Sequence, residues 1–440
     1  MTSFICFRFF VAIVASFLFC TSFANVDIAV VDSTGQRVFA KVLPFVFKVK
    51  TSPTADSPQA SYGTGFVVDR DGLLVTNYHV VSESIVQPKK NKIFVMIGEK
   101  AVPGQVLAVN VVQDLALVRV ENTFSRAMSF ALKKPLQGEP LYAVGQPEDL
   151  NMSIVAGTYN DELAYGKYNV IHLSAPINGG MSGGPTVNQT GELIGVNVSK
   201  LVDSSNVSFS VPARFAEELY QKHKHLKTHD GLFWPEIQEQ LLSLQSELSE
   251  EILASAEKIR SFHEWKIPQM QKTMKCWSVP DQGAAETREN YETFTETCDL
   301  QHSAFLSSET STGTYQFSFS ALENKKMNAW QFYGILDKQS QGLAFSGARS
   351  WSRSSEPKLR TKGACMSEVV VNKARQSFMV NYCLRTYANF PELQDARVTV
   401  DTLNSPPKAF SGDLELRGFS NANIKKITRK FIEDISREEK

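Results

Sequence analysis

The segment Gly179-Gly180-Met181-Ser182-Gly183-Gly184-Pro185 places a serine in a turn that is rich in glycine. A hydroxyl is a weak nucleophile unless a neighbouring base takes its proton. Two upstream segments supply partners: Thr76-Asn77-Tyr78-His79-Val80-Val81 carries a histidine, and Gln113-Asp114-Leu115-Ala116-Leu117-Val118 carries an aspartate. The pattern predicts a triad in which His79 takes the proton of Ser182 and Asp114 orients the imidazole.

Three other carboxylates compete with Asp114, namely Asp69, Asp71 and Asp149. The orienting carboxylate should lie buried behind the histidine. The apolar run that follows Asp114 is typical of a buried strand, whereas Asp71-Gly72 is typical of a hairpin turn. Asp114 is therefore the candidate, and His172 is interpreted as a histidine on a strand.

The three segments resemble those of trypsin-fold serine proteases, and most closely the HtrA/Deg branch, in which they read T-N-x-H-V-V, D-L-A-L or D-L-A-V, and G-N-S-G-G-P. Gly63-Thr64-Gly65-Phe66 and Gly191-Glu192-Leu193-Ile194-Gly195-Val196-Asn197 also lie where that family has similar segments. The resemblance covers about residues 40–220. It implies an all-β protease domain with two six-stranded barrels and a serine endopeptidase activity on unfolded or exposed polypeptides.

The same resemblance implies an oxyanion hole built from the backbone amides of Gly180, Met181 and Ser182. Met181 departs from the family, where Asn or Asp usually precedes the serine. In the trypsin branch that Asp binds the amino terminus released by zymogen cleavage, and a methionine cannot form this ion pair. We therefore expect the loop to be held by other contacts, or to be ordered by substrate or by the C-terminal domain.

Candidate substrate contacts follow from the alignment with the family. Pro176 occupies the position where trypsin-like enzymes that cleave after Arg or Lys keep an acid, and Ile177 follows it. Asn197-Val198-Ser199 is expected to pair with the substrate backbone, and Phe209-Ser210-Val211 to complete the pocket. No charge is evident in this pocket, which predicts cleavage after small or medium apolar residues such as Val, Ala or Leu.

The chain has 440 residues, which indicates two or three domains. Its 46 basic and 46 acidic residues balance, so nothing indicates a nucleic-acid partner. Arg8, the apolar run Phe9 to Phe19 and Ser22-Phe23-Ala24 predict a secretory signal over residues 1–24 and an exported protein, periplasmic or secreted, with no membrane span after cleavage. An uncleaved membrane anchor is the alternative. No cofactor and no metal are predicted.

Cysteine use agrees with export. Cys6 and Cys20 belong to the predicted signal, and the remaining four all lie in the C-terminal half: Cys276, Cys298, Cys365 and Cys383. Two disulfides are expected in an exported chain, with three connectivities open. Neighbour pairing is preferred because short loops close most easily. A zinc site is the alternative, although no Cys-x-x-Cys spacing is present.

We predict a protease domain over residues 25–221, closed by a helix over Pro212 to Gln221. A linker and a long helix follow over 222–270, with the helix running from Pro235 to about Trp265. The histidines at 223, 225 and 229 in the linker have no ligand spacing that favours a metal. Residues 271–440 are expected to form a β-rich domain with a terminal amphipathic helix from Asn423.

Two other functions compete with an endopeptidase. The chain could be a catalytically silent scaffold that keeps the protease fold, with its function carried by the C-terminal domain. Alternatively, residues 270–440 could be an adhesion or inhibitor-like domain to which the protease is accessory. Residues 231–440 offer a candidate surface for a homo-oligomer or a protein partner, and no second chemistry is indicated there.

Overall fold

The computed structural model describes residues 34–147, 150–165, 168–198, 207–269, 271, 273–279, 290–300, 303–307, 310–336, 359–403 and 407–437. The predicted signal and its two cysteines lie outside the described residues, as do Asp149 and Ser199. Among the described residues, no helix is long and apolar enough to cross a membrane.

Two closed six-stranded antiparallel barrels form the N-terminal half, as predicted. The strands of the first barrel have the spatial order β1-β2-β3-β6-β5-β4: β1 Val46–Ser52, β2 Ser61–Asp69, β3 Leu73–Thr76, β4 Lys92–Ile97, β5 Lys100–Asn110 and β6 Leu115–Val120. Those of the second have the order β10-β11-β12-β9-β8-β7: β7 Pro140–Gly145, β8 Ser153–Tyr165, β9 Tyr168–Leu173, β10 Pro185–Val187, β11 Leu193–Val198 and β12 Ser208–Pro212.

Turn residues join these strands where the sequence indicates them. Gly72 connects β2 to β3 with φ +86°, and a Cβ there would lie 2.2 Å from the carbonyl oxygen of Val120, so only glycine fits this turn. Three helices flank the barrels: α1 Thr34–Val42, α2 Tyr78–Val86 and α3 Ala213–His223. Helix α3 lies where the sequence predicts the closing helix, and its Leu219 is buried in the core of the barrels.

The C-terminal half is mainly β, as predicted. Its seven-stranded antiparallel sheet has the order β15-β16-β19-β23-β22-β21-β20: β15 Met274–Val279, β16 Tyr291–Leu300, β19 Thr314–Asn324, β20 Ala364–Val371, β21 Ser377–Thr386, β22 Leu393–Thr402 and β23 Lys408–Ser420. Helices α4 (Trp234–Ser255) and α5 (Asn421–Glu433) pack on it. Helix α5 lies where the sequence predicts the terminal helix, with Ile424, Ile427 and Phe431 buried.

The long helix is shorter than predicted. Helix α4 ends at Ser255, and the strands β13 (Ile259–Phe262) and β14 (Trp265–Pro268) follow as a hairpin. The apolar residues at 259 and 262 are three positions apart, a spacing that suits a helix and misled the prediction. Buried Trp265 and Ile267 instead alternate with an exposed residue, which is the period of a strand. His263 has φ +54° in the turn, a value that no α-helix accommodates.

Both predicted disulfides are present. Cys276 on β15 pairs with Cys298 on β16, and Cys365 on β20 pairs with Cys383 on β21. The partners lie directly opposite each other in the strand registers. The neighbour pairing is therefore confirmed. Each disulfide joins the two outermost strands at one edge of the seven-stranded sheet. They also use the sulfur atoms that the alternative zinc site would need.

The two halves share one continuous core. Tyr78, Val81 and Ile85 on α2 belong to the same buried cluster as Leu244 on α4 and Phe319 on β19. The helix that carries His79 is therefore enclosed between the first barrel and the C-terminal half.

Candidate active site

His79 and Asp114 form a close, buried pair. The Nδ1 atom of His79 lies 2.6 Å from Oδ2 of Asp114, and the backbone amide of His79 donates to Oδ1 at 2.9 Å. His79 is 5% exposed and Asp114 is 7% exposed. A carboxylate that binds both the ring and the backbone of a histidine fixes the orientation of the ring. It also leaves Nε2 as the nitrogen that can accept a proton.

Asp114 lies immediately before β6 with φ +54°, a left-handed conformation that costs a non-glycine residue of the order of 1 kcal/mol. Its carbonyl oxygen accepts from the Tyr78 amide at 3.1 Å and from Nδ2 of Asn77 at 2.8 Å. These bonds and the two to His79 hold the strained residue in place. Three consecutive residues, Asn77 to His79, are thus bonded to Asp114.

The competing carboxylate Asp69 is engaged elsewhere. It accepts from the Tyr220 hydroxyl at 2.6 Å and from the Asp71 amide at 3.0 Å, so it closes the turn between β2 and β3. Asp71 lies in the same turn, as the sequence indicates. His172 lies on β9, as predicted, with its ring 6.1 Å from that of Phe209.

Thr64 on β2 holds the serine loop at two points. Its hydroxyl donates to the Gly180 carbonyl oxygen at 2.8 Å, and its amide donates to the Ser182 carbonyl oxygen at 2.8 Å. The same hydroxyl accepts from the amide of Gln146 at 2.9 Å. Thr64 is fully buried, so these bonds fix the loop between the two barrels.

The loop also lies directly against the histidine segment. A Cβ on Gly183 would lie 2.3 Å from Oγ1 of Thr76 and 2.8 Å from the amide nitrogen of Asn77, and φ of Gly183 is +83°. Only glycine allows this close approach and this backbone conformation. Gly183 therefore lies against the segment that carries His79, and Ser182 is its neighbour in the chain. Ser182 is 3% exposed.

Met181 is fully buried among apolar side chains of the second barrel, which include Leu141, Ile171 and Leu173. This burial is one of the contacts that hold the loop without the family's usual Asn or Asp. The Met181 amide donates to the Asn178 carbonyl oxygen at 3.1 Å. This N–H group is bonded inside the loop and is therefore a poor candidate for an oxyanion donor.

The side chains of Asn197 and Ser210, two of the predicted substrate residues, belong to an internal network. Asn197 and Ser210 are fully buried and meet at the Thr186 hydroxyl, at 2.6 and 2.7 Å. Nδ2 of Asn197 donates to the Val144 carbonyl oxygen at 3.0 Å. These side chains are bonded inside the protein, where they support the serine loop. Pairing of this strand's backbone with a substrate stays a prediction.

The other predicted substrate contacts are placed as follows. Pro176 is exposed, Ile177 is buried in the same apolar cluster as Met181, and Val198 is buried at the end of β11.

Residues 63–196 match the family described as the trypsin-like peptidase domain. This part of the chain is similar to trypsin-like peptidase domains. The chain is 30% identical over 224 residues to the putative serine protease HhoB of Synechocystis, covering 47% of this chain and 50% of HhoB. It is 31% identical over 174 residues to the probable periplasmic serine endoprotease DegP-like of Chlamydia pneumoniae, covering 37% of this chain and 34% of that protein.

Among solved structures, the active form of the Rv3671c protease from M. tuberculosis shows 23% identity and a TM-score of 0.38, covering 44% of this chain and 86% of that chain. The chain spans half or less of the length of the two curated relatives. The matched residues, 63–196, contain all three residues of the predicted triad and the whole serine loop.

Sequence reasoning misses two features of the site. The first is the role of Thr64, which the sequence shows only as part of a segment that resembles the family. Its hydroxyl bonds to a residue 116 positions away, and such a distant contact leaves no local signal. The second is a contact from the C-terminal half: the Phe305 ring lies 5.4 Å from the His79 ring, between centroids. No periodicity or motif could have indicated it.

Proposed function

We propose that the chain is an exported serine endopeptidase in which Ser182 attacks the scissile carbonyl carbon. His79 takes the hydroxyl proton at Nε2, and Asp114 stabilises the resulting imidazolium. The observation that carries this proposal is the double contact from Asp114 to the ring and the amide of His79, at 2.6 and 2.9 Å. An aspartate held this way has the geometry of a residue that orients a general base.

The tetrahedral intermediate carries a negative charge on the former carbonyl oxygen. We assign its stabilisation to the amides of Gly180 and Ser182, the residues whose carbonyl oxygens Thr64 binds. A positioned donor of this kind contributes about 3 kcal/mol to stabilisation of a transition state. His79 then delivers its proton to the leaving amine as the C–N bond breaks, and a water molecule hydrolyses the acyl-enzyme.

For substrates, we propose cleavage after small or medium apolar residues in unfolded or exposed polypeptides. Burial of Ile177 in an apolar cluster and the lack of an acid at Pro176 support this. The two disulfides are typical of an oxidising compartment and support export. The Chlamydia relative, which is named as periplasmic, supports the same location.

Hydrolysis of unfolded casein tests the proposal, with a Ser182→Ala variant as the control. We expect the wild type to produce peptides and the variant to produce none. A cleavage profile dominated by Arg, Lys or Glu before the cleaved bond would overturn the proposed specificity.

A catalytically silent scaffold is favoured by a different observation, the low exposure of His79 and Ser182, at 5% and 3%. A wild-type protein that folds with both disulfides but leaves casein intact would support this second function.

A further inference from the structure

A short hairpin from the C-terminal half lies against the imidazole of His79. It contains the strands β17 (Ala304–Phe305) and β18 (Ser311–Thr312). The Phe305 ring is tilted by 51° to the His79 ring, with 5.4 Å between centroids. The residues on either side of Phe305 in the chain are fully buried, whereas Phe305 keeps part of its surface exposed.

The hairpin is bonded directly to the residue before the histidine. The Tyr78 hydroxyl donates to the Leu306 carbonyl oxygen at 3.0 Å. Tyr78 is fully buried, and this burial, together with the charge of Asp114, raises the pKa of its hydroxyl. The hydroxyl therefore keeps its proton at neutral pH and remains a donor to the hairpin.

The other side of the hairpin is anchored to the seven-stranded sheet through Asp395, a fully buried carboxylate on β22. Arg360 pairs with Asp395 at 3.0 Å and donates to the Ser311 carbonyl oxygen at 2.7 Å. The Tyr387 hydroxyl bonds both to Asp395 and, at 2.8 Å, to the Thr312 hydroxyl. An opening of the hairpin would leave buried polar groups unpaired.

The free-energy cost of opening the hairpin decides whether it is a fixed wall beside His79 or a cover that can move away. Leu306 and Tyr78 belong to the core that joins the two halves of the chain. Movement of the hairpin would expose this apolar surface and would also break the bonds to Tyr78 and to the Asp395 network. Both costs oppose opening, so we treat the hairpin as a fixed wall beside His79.

We propose that Phe305 is a specificity-determining residue that contacts the substrate side chains flanking the scissile bond. This inference rests on the proposed function. A general base that serves the nucleophile and then the leaving amine must lie beside the scissile bond. A ring that packs on this imidazole therefore meets the adjoining substrate residues. The exposed part of Phe305 is an apolar ring, so apolar substrate side chains fit it best.

Peptide hydrolysis by the full-length protein tests the inference. Two peptide series share one residue before the cleaved bond and carry either Leu or Asp at the neighbouring positions. We expect Phe305→Ala to lower kcat/KM for the Leu series about tenfold, the scale of a lost apolar contact, and to leave the Asp series unchanged. Phe305→Leu should keep most of the preference, because it keeps an apolar side chain in contact. Trp330→Ala, an exposed aromatic residue of the same half, is the matched control.

Three outcomes would overturn the inference alone. An equal loss for both series in Phe305→Ala, with a lower melting temperature, would make the residue structural. A gain for both series would make the hairpin an inhibitory cover. An unchanged preference, with Ser182 still labelled by a fluorophosphonate probe, would refute the inference and leave the proposed function standing. Failure of the wild type to label at Ser182 would refute the proposed function and the inference together.

Discussion

The buried hydroxyl of Thr64 offers the sharpest test of how the serine loop keeps its shape. Thr64→Val preserves the size and branching of the side chain and removes only the hydroxyl. The change leaves the Gly180 carbonyl oxygen without its donor at 2.8 Å and the Gln146 amide without its acceptor at 2.9 Å. Gly180 is buried, whereas Gln146 is partly exposed and can regain a bond to water.

The expected magnitude follows from these two groups. A buried carbonyl that loses its partner costs about 1–3 kcal/mol, so the free energy of unfolding should fall by about that amount. The Gly180 carbonyl shares a peptide unit with the Met181 amide, and the Gly180 amide belongs to the preceding unit. If Gly180 shifts once its carbonyl has lost the Thr64 bond, its own amide leaves the position from which it stabilises the oxyanion. Loss of one such donor lowers kcat on the order of 10²-fold to 10³-fold. The effect on kcat should therefore far exceed the loss of folded protein.

The assay compares Thr64→Val with Thr402→Val. The Thr402 hydroxyl in the C-terminal sheet also donates to a carbonyl oxygen and accepts from an amide, both of Phe410, at 3.3 and 3.0 Å. Both variants should lose similar stability in urea unfolding, and only Thr64→Val should lose kcat. Equal kcat values in the two variants, whether both normal or both reduced, would refute the reasoning.

Three further predictions concern the site and its support. Asp114→Asn should lower kcat for peptide hydrolysis by roughly 10⁴-fold with little change in KM, because the Asn side chain no longer holds the His79 imidazole in the required tautomer. A loss in kcat under about tenfold would contradict this. Met181→Ala should cost about 2–5 kcal/mol in urea unfolding, since its buried side chain fills the second barrel, whereas Met181→Leu should cost under about 1.5 kcal/mol; equal costs would contradict it. Burial raises the pKa of Asp401 from 3.8 to about 6, so protonation of this carboxyl stabilises the folded state relative to the unfolded state. The contribution, up to about 3 kcal/mol, is present below about pH 4 and is lost as the pH rises through about 6. Urea unfolding at about pH 4.5 and about pH 7.5 should show this fall in the wild type relative to Asp401→Asn, and parallel pH profiles would argue against it.

The resemblance to trypsin-fold proteases predicts the two barrels. Local patterns predict the turn between β2 and β3, the disulfides and the terminal helix, because each leaves its signal within a short stretch. The turn at Asp71-Gly72 requires a left-handed residue, and Gly72 has φ +86°. Each cysteine pair joins neighbouring strands, at separations of 22 and 18 residues. After the end of α4, the spacing of the apolar residues fits a helix as well as a strand. There the sequence pattern predicts a longer helix, whereas the structure has the strands β13 and β14.

The parts of the site that escape prediction depend on contacts between distant segments. Alignment with the family predicts that the backbone at Asn197 pairs with a substrate and that Ser210 completes the pocket. It does not reveal that both side chains meet at the Thr186 hydroxyl inside the protein. Phe305 reaches His79 only because the C-terminal half packs on α2. Such contacts follow from tertiary packing, which no local pattern encodes.

The central claim is that Asp114 and His79 activate Ser182 as a nucleophile. The most direct test is the rate at which a fluorophosphonate probe labels the full-length protein, with the modified residue mapped by peptide mass. An adduct on Ser182 should form in the wild type and be lost in His79→Ala. A wild-type protein that stays unlabelled, or that carries its adduct on another residue, would contradict it.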